Sequence, residues 1–273
     1  MNHDEIEKTY LSISDVKIYC ERIENDKPPL VLIHGFLSST YTFNRVIPLL
    51  KNHFSILAID LPGFGRSEKS TTFRYTYTNY AKLVVECMRH FGIQKASIAG
   101  HSMGGQIGLN IANLYPNMVD KLVLICSSGY LKRAKSSLIF YSYLPFFSFF
   151  AKRLIQKREV KEELKNVLFN HTLINDEMMR EFSMPLKDRN FHKSLIRLLR
   201  HREGDLETEV LKRITTEALL IWGKEDKIVP YEIGLKLRNE LPNSSMTALD
   251  DCGHLITFEK PKEVVEKIIT FLK

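Results

Sequence analysis

The sequence predicts an α/β fold in which a mostly parallel sheet is covered by helices on both faces. Short apolar runs bounded by turn residues, typical of strands buried on both faces, alternate with longer amphipathic stretches. This alternation stops in residues 128–213 and resumes after them, which indicates a helical segment inserted between two strands. A chain of 273 residues is long enough for one large domain with such an insertion.

Eight strands are predicted in chain order. The first two alternate polar and apolar side chains around Ser14-Asp15 and are expected to form a hairpin. The next strands are mainly continuous apolar runs. The predicted strands span residues 7–13, 16–23, 29–33, 54–60, 96–99, 121–125, 218–222 and 245–249.

Helical spacing of apolar residues connects these strands. The predicted core helices span residues 42–51, 78–91, 103–115, 231–241 and 261–272. Those of the middle segment span residues 160–169, 176–182, 190–201 and 206–214. We call residues 128–213 the insert, and predict that it forms a helical cap, or lid, after the sixth strand. The predicted core consists of residues 1–127 and 214–273.

The basic charge of the chain is concentrated in the insert. The insert contains 18 Lys and Arg against 11 Asp and Glu, an excess that equals the net charge of +7 for the whole chain. No zinc-finger spacing, RNP motif or basic zipper accompanies this charge, so nucleic acid is not an expected partner. The composition is 44% hydrophobic and 26% charged, which excludes a disordered, collagen-like or coiled-coil protein.

The ends and cysteines of the sequence suggest a cytoplasmic location. Residues 1–7 are polar and acidic, without the basic and apolar regions of a signal peptide. The longest apolar stretch, residues 138–151, is short for a membrane span and is interrupted by polar residues and proline. The cysteines lack a CxxC spacing and are predicted to be free thiols: Cys20, Cys87, Cys126 and Cys252.

A G-x-S-x-G motif at residues 100–104 identifies Ser102 as a candidate nucleophile. The serine directly follows a predicted buried strand and directly precedes a predicted helix. A sharp turn at this point lifts the hydroxyl clear of the sheet, and the glycines relieve the crowding. A serine at its ordinary pKa is a poor nucleophile, so it needs a base and an acid that orients the base.

Two later loops supply these groups. Asp226 and His254 each follow a predicted strand, at the edge where open α/β sheets place their sites. The order Ser102, Asp226, His254 is the order expected of this architecture. Neighbouring carboxylates are poorer candidates because of their positions along the chain: Glu225, Asp250 and Asp251.

An oxyanion hole requires two backbone N–H groups aimed at the developing negative charge. The N–H of Met103, directly after the candidate nucleophile, is one candidate donor. The second is the N–H of Phe36, in the loop that follows the first long buried strand.

With these motifs the sequence resembles the α/β-hydrolase superfamily, in its branch of small cap-bearing serine esterases, haloperoxidases without cofactors and ring-cleavage-product hydrolases. Residues 200–206 also resemble a subgroup of functionally uncharacterised bacterial hydrolases. The motifs that carry the family resemblance are His34-Gly35-Phe36, residues 60–67, residues 100–105, Gly223-x-x-Asp226 with Val229-Pro230, and Gly253-His254.

Departures from the family's other patterns narrow the expected reaction. Epoxide hydrolases and haloalkane dehalogenases carry aspartate where this chain has Ser102, and enzymes for bulky tertiary-alcohol esters carry a His-Gly-Gly-Gly run. Carbon–carbon bond hydrolases of this branch often carry further glycines where this chain has Ser38-Ser39. We therefore expect a carboxylic-ester hydrolase of small molecules that uses no metal or other cofactor.

Two alternatives stay open from the sequence. One is a signalling receptor that retains the site but turns over slowly, and the other is a C–C bond hydrolase of dienone-type ring-cleavage products. The oligomeric state is not predicted. The substrate pocket is expected to include His34, Gly35, Leu37, His101, Phe146, Phe147, Val229 and Leu255.

Residues 139–150 contain seven aromatic side chains in twelve positions. Basic residues flank them on both sides: Lys132, Arg133, Lys135, Lys152, Arg153, Lys157 and Arg158. In one interpretation this segment packs over the pocket and favours hydrophobic acyl chains. In the other, it makes a weak peripheral contact with a membrane.

Overall fold

A computed structural model describes residues 5–156 and 159–273 and contains an eight-stranded, mostly parallel sheet. The strands lie in the order β1-β2-β4-β3-β5-β6-β7-β8. The pairs β1–β2 and β2–β4 are antiparallel, and the others are parallel. The α/β prediction is thereby confirmed. The strands are β1 (Glu7–Ile13), β2 (Val16–Ile23), β3 (Pro29–Ile33), β4 (Ser55–Ile59), β5 (Ala96–His101), β6 (Val119–Ile125), β7 (Ala218–Gly223) and β8 (Ser244–Leu249).

Helices connect the strands, and those between β6 and β7 belong to the insert. In the core they are α1 (Ile47–Leu50), α2 (Tyr77–His90) and α3 (Met103–Leu114). The insert contains α4 (Ser136–Tyr141), α5 (Phe147–Gln156), α6 (Val160–Val167), α7 (Asp176–Ser183), α8 (Phe191–His201) and α9 (Thr208–Leu211). The chain ends with α10 (Tyr231–Glu240), α11 (Ile256–Glu259) and α12 (Pro261–Leu272).

The strand order creates a crevice at the carboxyl ends of the central strands. From β3 the chain passes to β4 on one side, and it then returns to β5 on the other side. In the register of this pair, Ile33 lies opposite Gly100, so both strands end at the same level. Ligands of open α/β sheets bind where the strand order reverses in this way, outside the carboxyl ends of the strands.

Proline explains one difference between the predicted and the observed helices. The predicted helix over residues 42–51 is instead a 3₁₀ turn, Thr40–Phe43, followed by the short α1. Pro48 stands at the start of α1, where its missing N–H and its ring are incompatible with continuing an earlier helix. The aromatic segment is divided into α4 and α5, with Pro145 between them.

The insert is joined to the core by a small apolar cluster and by polar contacts. Leu164 and Met178 of the insert pack with Leu255 and Phe258 of the core. Arg66 donates two hydrogen bonds to the carboxylate of Glu181 on α7, at 2.9 and 2.8 Å. These contacts hold the insert over the carboxyl ends of the strands.

A second set of polar contacts joins the two ends of the insert. The N–H of Asp205 donates to the carbonyl of Leu131 at 2.7 Å, and the N–H of Leu131 donates to the Asp205 carboxylate at 3.1 Å. The Tyr77 hydroxyl of α2 donates to the same carboxylate at 2.8 Å. Burial raises the pKa of Asp205.

Within the described residues, no helix is both long and apolar enough to cross a membrane.

Candidate active site

Ser102 occupies a sharp turn between β5 and α3. Its backbone has φ 54° and ψ −120°, a conformation that non-glycine residues adopt only when their surroundings enforce it. The Ser102 N–H donates to the carbonyl of Ile125 at 2.9 Å, and its carbonyl accepts from the N–H of Ser128 at 3.0 Å. Both bonds tie the turn to the end of β6 and fix the direction of the side chain.

Two glycines make this turn possible by allowing close backbone approach. A Cβ atom on Gly104 would overlap the carbonyl oxygen of Ile33, at the end of β3. A Cβ atom on Gly35 would lie 2.8 Å from the Cβ of Ser102. The loop after β3 and the start of α3 therefore pack directly against each other around the serine.

The structure brings Asp226 and His254 together as the sequence predicts. Asp226 follows β7 and His254 follows β8, and His254 Nδ1 donates to Asp226 Oδ2 at 2.7 Å. The other carboxylate oxygen accepts from the N–H groups of Ile228 and Val229, at 2.8 and 2.9 Å. The Asp226 side chain is fully buried. Its three hydrogen bonds fix the orientation of the carboxylate. Nε2 of His254 is then left as an acceptor.

The neighbouring carboxylates are occupied elsewhere. Glu225 accepts from the N–H of Cys252 at 3.0 Å. Asp250 forms an exposed ion pair with Lys224 at 2.6 Å, and Asp251 is exposed. Asp226 is thus the carboxylate on His254, in agreement with the sequence prediction.

Among the described residues, the side chains of Cys126, Asp226 and His254 form a group with possible metal-ligand atoms. Their ligand atoms lie within 4.8 Å of one another. A cation between Asp226 and His254 would have to displace the 2.7 Å hydrogen bond that already joins them. Burial and the Asp226 carboxylate raise the pKa of the Cys126 thiol, which keeps it protonated.

Two further histidines lie beneath this site and support its backbone. Burial lowers the pKa of His34 to about 4 and that of His101 to about 3, so both rings are neutral near pH 7. His34 accepts from the N–H of Leu61 at 2.9 Å through Nε2. His101 Nε2 lies 2.9 Å from the carbonyl oxygen of His254, to which it donates. His101 thereby positions the loop that carries His254.

The candidate oxyanion donors lie on either side of Ser102. Met103 is the first residue of α3, whose N–H groups at this end have no partner within the helix. Phe36 follows β3, and its side chain borders the same space as Ser102. Among the described residues, neither backbone N–H donates to another protein group.

Two apolar cavities meet at Ser102. The larger, about 550 Å³, lies beneath α8 and beside the loop that precedes α10. The smaller, about 220 Å³, lies beneath α5, α6 and α7 and includes His254. Phe36, Ser102 and Ile228 border both cavities.

The pocket residues predicted from the sequence divide into two groups. Val229 borders the larger cavity and Leu37 the smaller, as expected. The others border neither cavity, which corrects the prediction: His34, Gly35, His101, Leu255, Phe146 and Phe147. His34 and His101 are buried beneath the site, Gly35 is packed against the Ser102 backbone, and Leu255 belongs to the cluster that joins insert and core.

Phe146 and Phe147 border neither cavity: Phe146 directly precedes α5, and Phe147 is the first residue of that helix. Phe146 is 76% exposed, and Phe147 is half-buried. Lys157 and Arg158, predicted as basic flanks of this segment, lie outside the described residues.

Sequence reasoning missed the insert residues that border the larger cavity. Leu195, Leu198 and Leu199 of α8 form one wall, with Tyr130 and Arg202 nearby. The i, i+3, i+4 spacing of the three leucines was the available signal, since it marks one face of a helix. That spacing does not reveal which structure the face covers.

The strand order and the strand–serine–helix turn are those of the α/β-hydrolase architecture. The family model for the alpha/beta hydrolase fold matches residues 28–261. An uncharacterized hydrolase, YugF of Bacillus subtilis, is 46% identical over 96% of each chain. The chain belongs to the α/β-hydrolase family, and the resemblance inferred from its motifs is confirmed.

More distant relatives have different names. A 2-hydroxy-6-oxo-6-(2'-aminophenyl)hexa-2,4-dienoic acid hydrolase of Metapseudomonas resinovorans is 27% identical, over 89% of this chain and 83% of the relative. A solved structure described as a "putative lipase" from Acinetobacter baumannii has a TM-score of 0.82 and 27% identity. That match covers 99% of this chain and 92% of the other.

Proposed function

We propose that the chain is a serine hydrolase that cleaves carboxylic esters with hydrophobic acyl or alcohol parts. The observation that carries the proposal is the position of Ser102, at the junction of two apolar cavities and beside the hydrogen-bonded pair of His254 and Asp226. Pockets for small molecules are mostly apolar, with a few convergent polar groups, and the larger cavity has an ordinary volume for one.

In the proposed mechanism, Ser102 Oγ attacks the acyl carbon while His254 Nε2 accepts the hydroxyl proton. Asp226 holds the imidazole tautomer and stabilises its charged form. The N–H groups of Phe36 and Met103 stabilise the oxyanion. His254 then protonates the leaving alcohol, and water, activated by the same histidine, hydrolyses the acyl-enzyme.

The two cavities suggest where each half of the ester binds. His254, which protonates the leaving alcohol in this mechanism, borders only the smaller cavity of the two. Met103, a proposed donor to the acyl oxyanion, borders only the larger. We assign the acyl chain to the larger cavity and the alcohol to the smaller.

C–C bond hydrolysis is the second candidate, supported by the relative named as a dienoic acid hydrolase. Arg202 borders the mainly apolar larger cavity, and a guanidinium there suits a substrate with a carboxylate. The same serine and histidine are needed for both reactions, so only substrates discriminate between them.

The test combines covalent labelling with a substrate comparison. A fluorophosphonate probe should label Ser102, identified by peptide mass spectrometry, and the Ser102→Ala variant should remain unlabelled. Turnover is then measured on p-nitrophenyl esters from acetyl to dodecanoyl and on a dienoic acid of the ring-cleavage type. Faster turnover of the medium-chain esters supports the proposal. Preference for the dienoic acid supports C–C hydrolysis, and slow turnover of every substrate by a labelled enzyme supports a receptor.

A further inference from the structure

The outer face of the insert carries an unusual concentration of exposed apolar side chains. Half of the large apolar residues that are exposed in the described parts of the chain lie between residues 138 and 154. We call the most exposed of them the aromatic patch: Phe140, Tyr143, Phe146, Phe149, Phe150 and Leu154, which are 60–76% exposed. Such a concentration of exposed apolar side chains indicates an interaction site.

Three of the six patch residues lie on α5, a helix with two apolar sides. On α5, Phe147, Ala151 and Ile155 recur every four residues and are half-buried, and Ile155 borders the smaller cavity. Phe150 and Leu154, with the same spacing, point outward. A surface helix usually carries polar side chains outside its packed face, but α5 carries Phe150 and Leu154 there beside Lys152 and Arg153. Among the described residues, nothing covers the outer face.

The helix α8 fixes the patch in place. Arg200 donates to the Ser142 hydroxyl at 2.8 Å and stacks over the Tyr143 ring at 4.0 Å. The turn between α4 and α5 is therefore held against the rest of the insert. The patch is a preformed surface.

The segment that carries the patch has charges of one sign. Residues 128–158 contain seven Lys and Arg and no Asp or Glu. The basic residues within the described part of this segment are exposed: Lys132, Arg133, Lys135, Lys152 and Arg153. Apolar side chains flanked by exposed cations match a surface with an apolar interior and anionic groups at its edge.

We propose that the aromatic patch docks the protein on an anionic lipid membrane. A second copy of this chain fits poorly, because a two-fold contact would bring the same basic flanks against each other. Docked in this way, α5 separates the lipid from the smaller cavity by one helix, about 10 Å. Resting on the proposed ester hydrolysis, the inference extends to the substrate: an amphiphilic ester held in the membrane surface.

Vesicle co-sedimentation tests the docking with the full chain carrying Ser102→Ala, so that binding is measured without hydrolysis. The vesicles are equimolar phosphatidylglycerol and phosphatidylcholine, or phosphatidylcholine alone. We expect binding to the anionic vesicles at low salt, and release at high salt. Replacing Phe149, Phe150 and Leu154 by serine should weaken binding about tenfold or more. Lys152→Glu with Arg153→Glu should weaken it by about tenfold.

The matched control replaces three exposed leucines elsewhere by serine: Leu49, Leu114 and Leu235. This variant should bind like the parent. Both serine variants, made also with Ser102 intact, should retain the parent's melting temperature and its activity on a soluble acetyl ester.

Three results would overturn the docking: no binding to anionic vesicles at low salt, equal binding by patch and control variants, or salt-independent binding to phosphatidylcholine alone. A fourth result, from sedimentation velocity, would also overturn it: a dimer formed by the parent and by the control variant but not by the patch variant. The substrate part predicts that the active protein cleaves a long-chain ester faster in anionic vesicles than in neutral ones. Equal rates would overturn that part, and vesicle binding by a protein that cleaves no ester would overturn the proposed function while leaving the docking intact.

Discussion

The carboxyl end of the sheet and the outer face of the insert are built in opposite ways. Around Ser102, backbone segments touch without space for a Cβ atom. The Asp226 side chain is fully buried, and both of its carboxylate oxygens accept hydrogen bonds. On the outer face, Phe146 is 76% exposed and no side chain packs over it within the described residues. The contrast teaches that the sheet end tolerates little change, whereas the outer face can change side chains without disturbing the chemistry.

The largest expected effect concerns the three residues at the sheet end. Ser102→Ala, His254→Ala and Asp226→Asn should each lower kcat by about 10³-fold or more, and the losses should not multiply because the residues act as a unit. Steady-state kinetics on a medium-chain ester measures the effect. Glu225→Gln is the control, since Glu225 bonds to Cys252 instead. Normal activity in Asp226→Asn would contradict the assignment.

Two glycines of α3 provide a matched pair for stability. Gly104→Ala should lower the free energy of unfolding by at least about 2 kcal/mol, because its Cβ would overlap the Ile33 carbonyl. Gly108→Ala, one turn later, would place its Cβ 3.5 Å from Ile98 and Leu122, an ordinary contact. It should raise the free energy by about 0.5–1 kcal/mol. Urea denaturation measures both, and equal effects would argue against close packing at the turn.

Changes inside the insert should alter substrate choice more than chemistry. Leu199→Trp fills part of the larger cavity, so kcat/KM for an octanoyl ester should fall about tenfold or more while that for an acetyl ester changes little. Leu186→Trp, in the smaller cavity, is the counterpart. It should leave the preference for acyl chain length unchanged and lower kcat/KM for esters of bulky alcohols. The reverse pattern would exchange the two cavity assignments.

The sheet end should also give the stability a pH dependence. Burial lowers the pKa of His101 to about 3. Between about pH 6.5 and pH 3, the His101 ring is therefore protonated in the unfolded chain but neutral in the folded protein. This part of the stability is present above pH 6.5 and is lost as the pH falls, by up to about 1.4 kcal/mol per pH unit.

The variant His101→Asn should flatten the pH dependence of the unfolding free energy in that range. The exposed His53→Asn variant serves as the control. Comparing slopes between variants removes the opposing contribution of Asp60, whose pKa burial raises. An unchanged slope in His101→Asn would show that its ring is protonated in the folded state.

The sheet and the positions of Ser102, Asp226 and His254 were predictable because their signals are local. Each residue follows a predicted strand within a few residues, and parallel strands bring such ends to one edge of the sheet. The cavity walls were not predictable. A helical pattern such as that of Leu195, Leu198 and Leu199 identifies an apolar face of a helix but not the structure against which that face packs. Phe146 was wrongly assigned to the pocket for the same reason.

The short connection between Leu131 and Asp205 gives the insert the character of an exchangeable module. The chain leaves the core and returns to it through one narrow neck, closed by two backbone-anchored hydrogen bonds and the Tyr77 hydroxyl. A different segment grafted between these two residues would leave the pairing of the strands intact, but it would have to replace the Val167 carbonyl, which accepts from the N–H of His254 at 2.8 Å. Replacing this one continuous stretch of sequence would therefore change the walls of both cavities without altering the order of the strands.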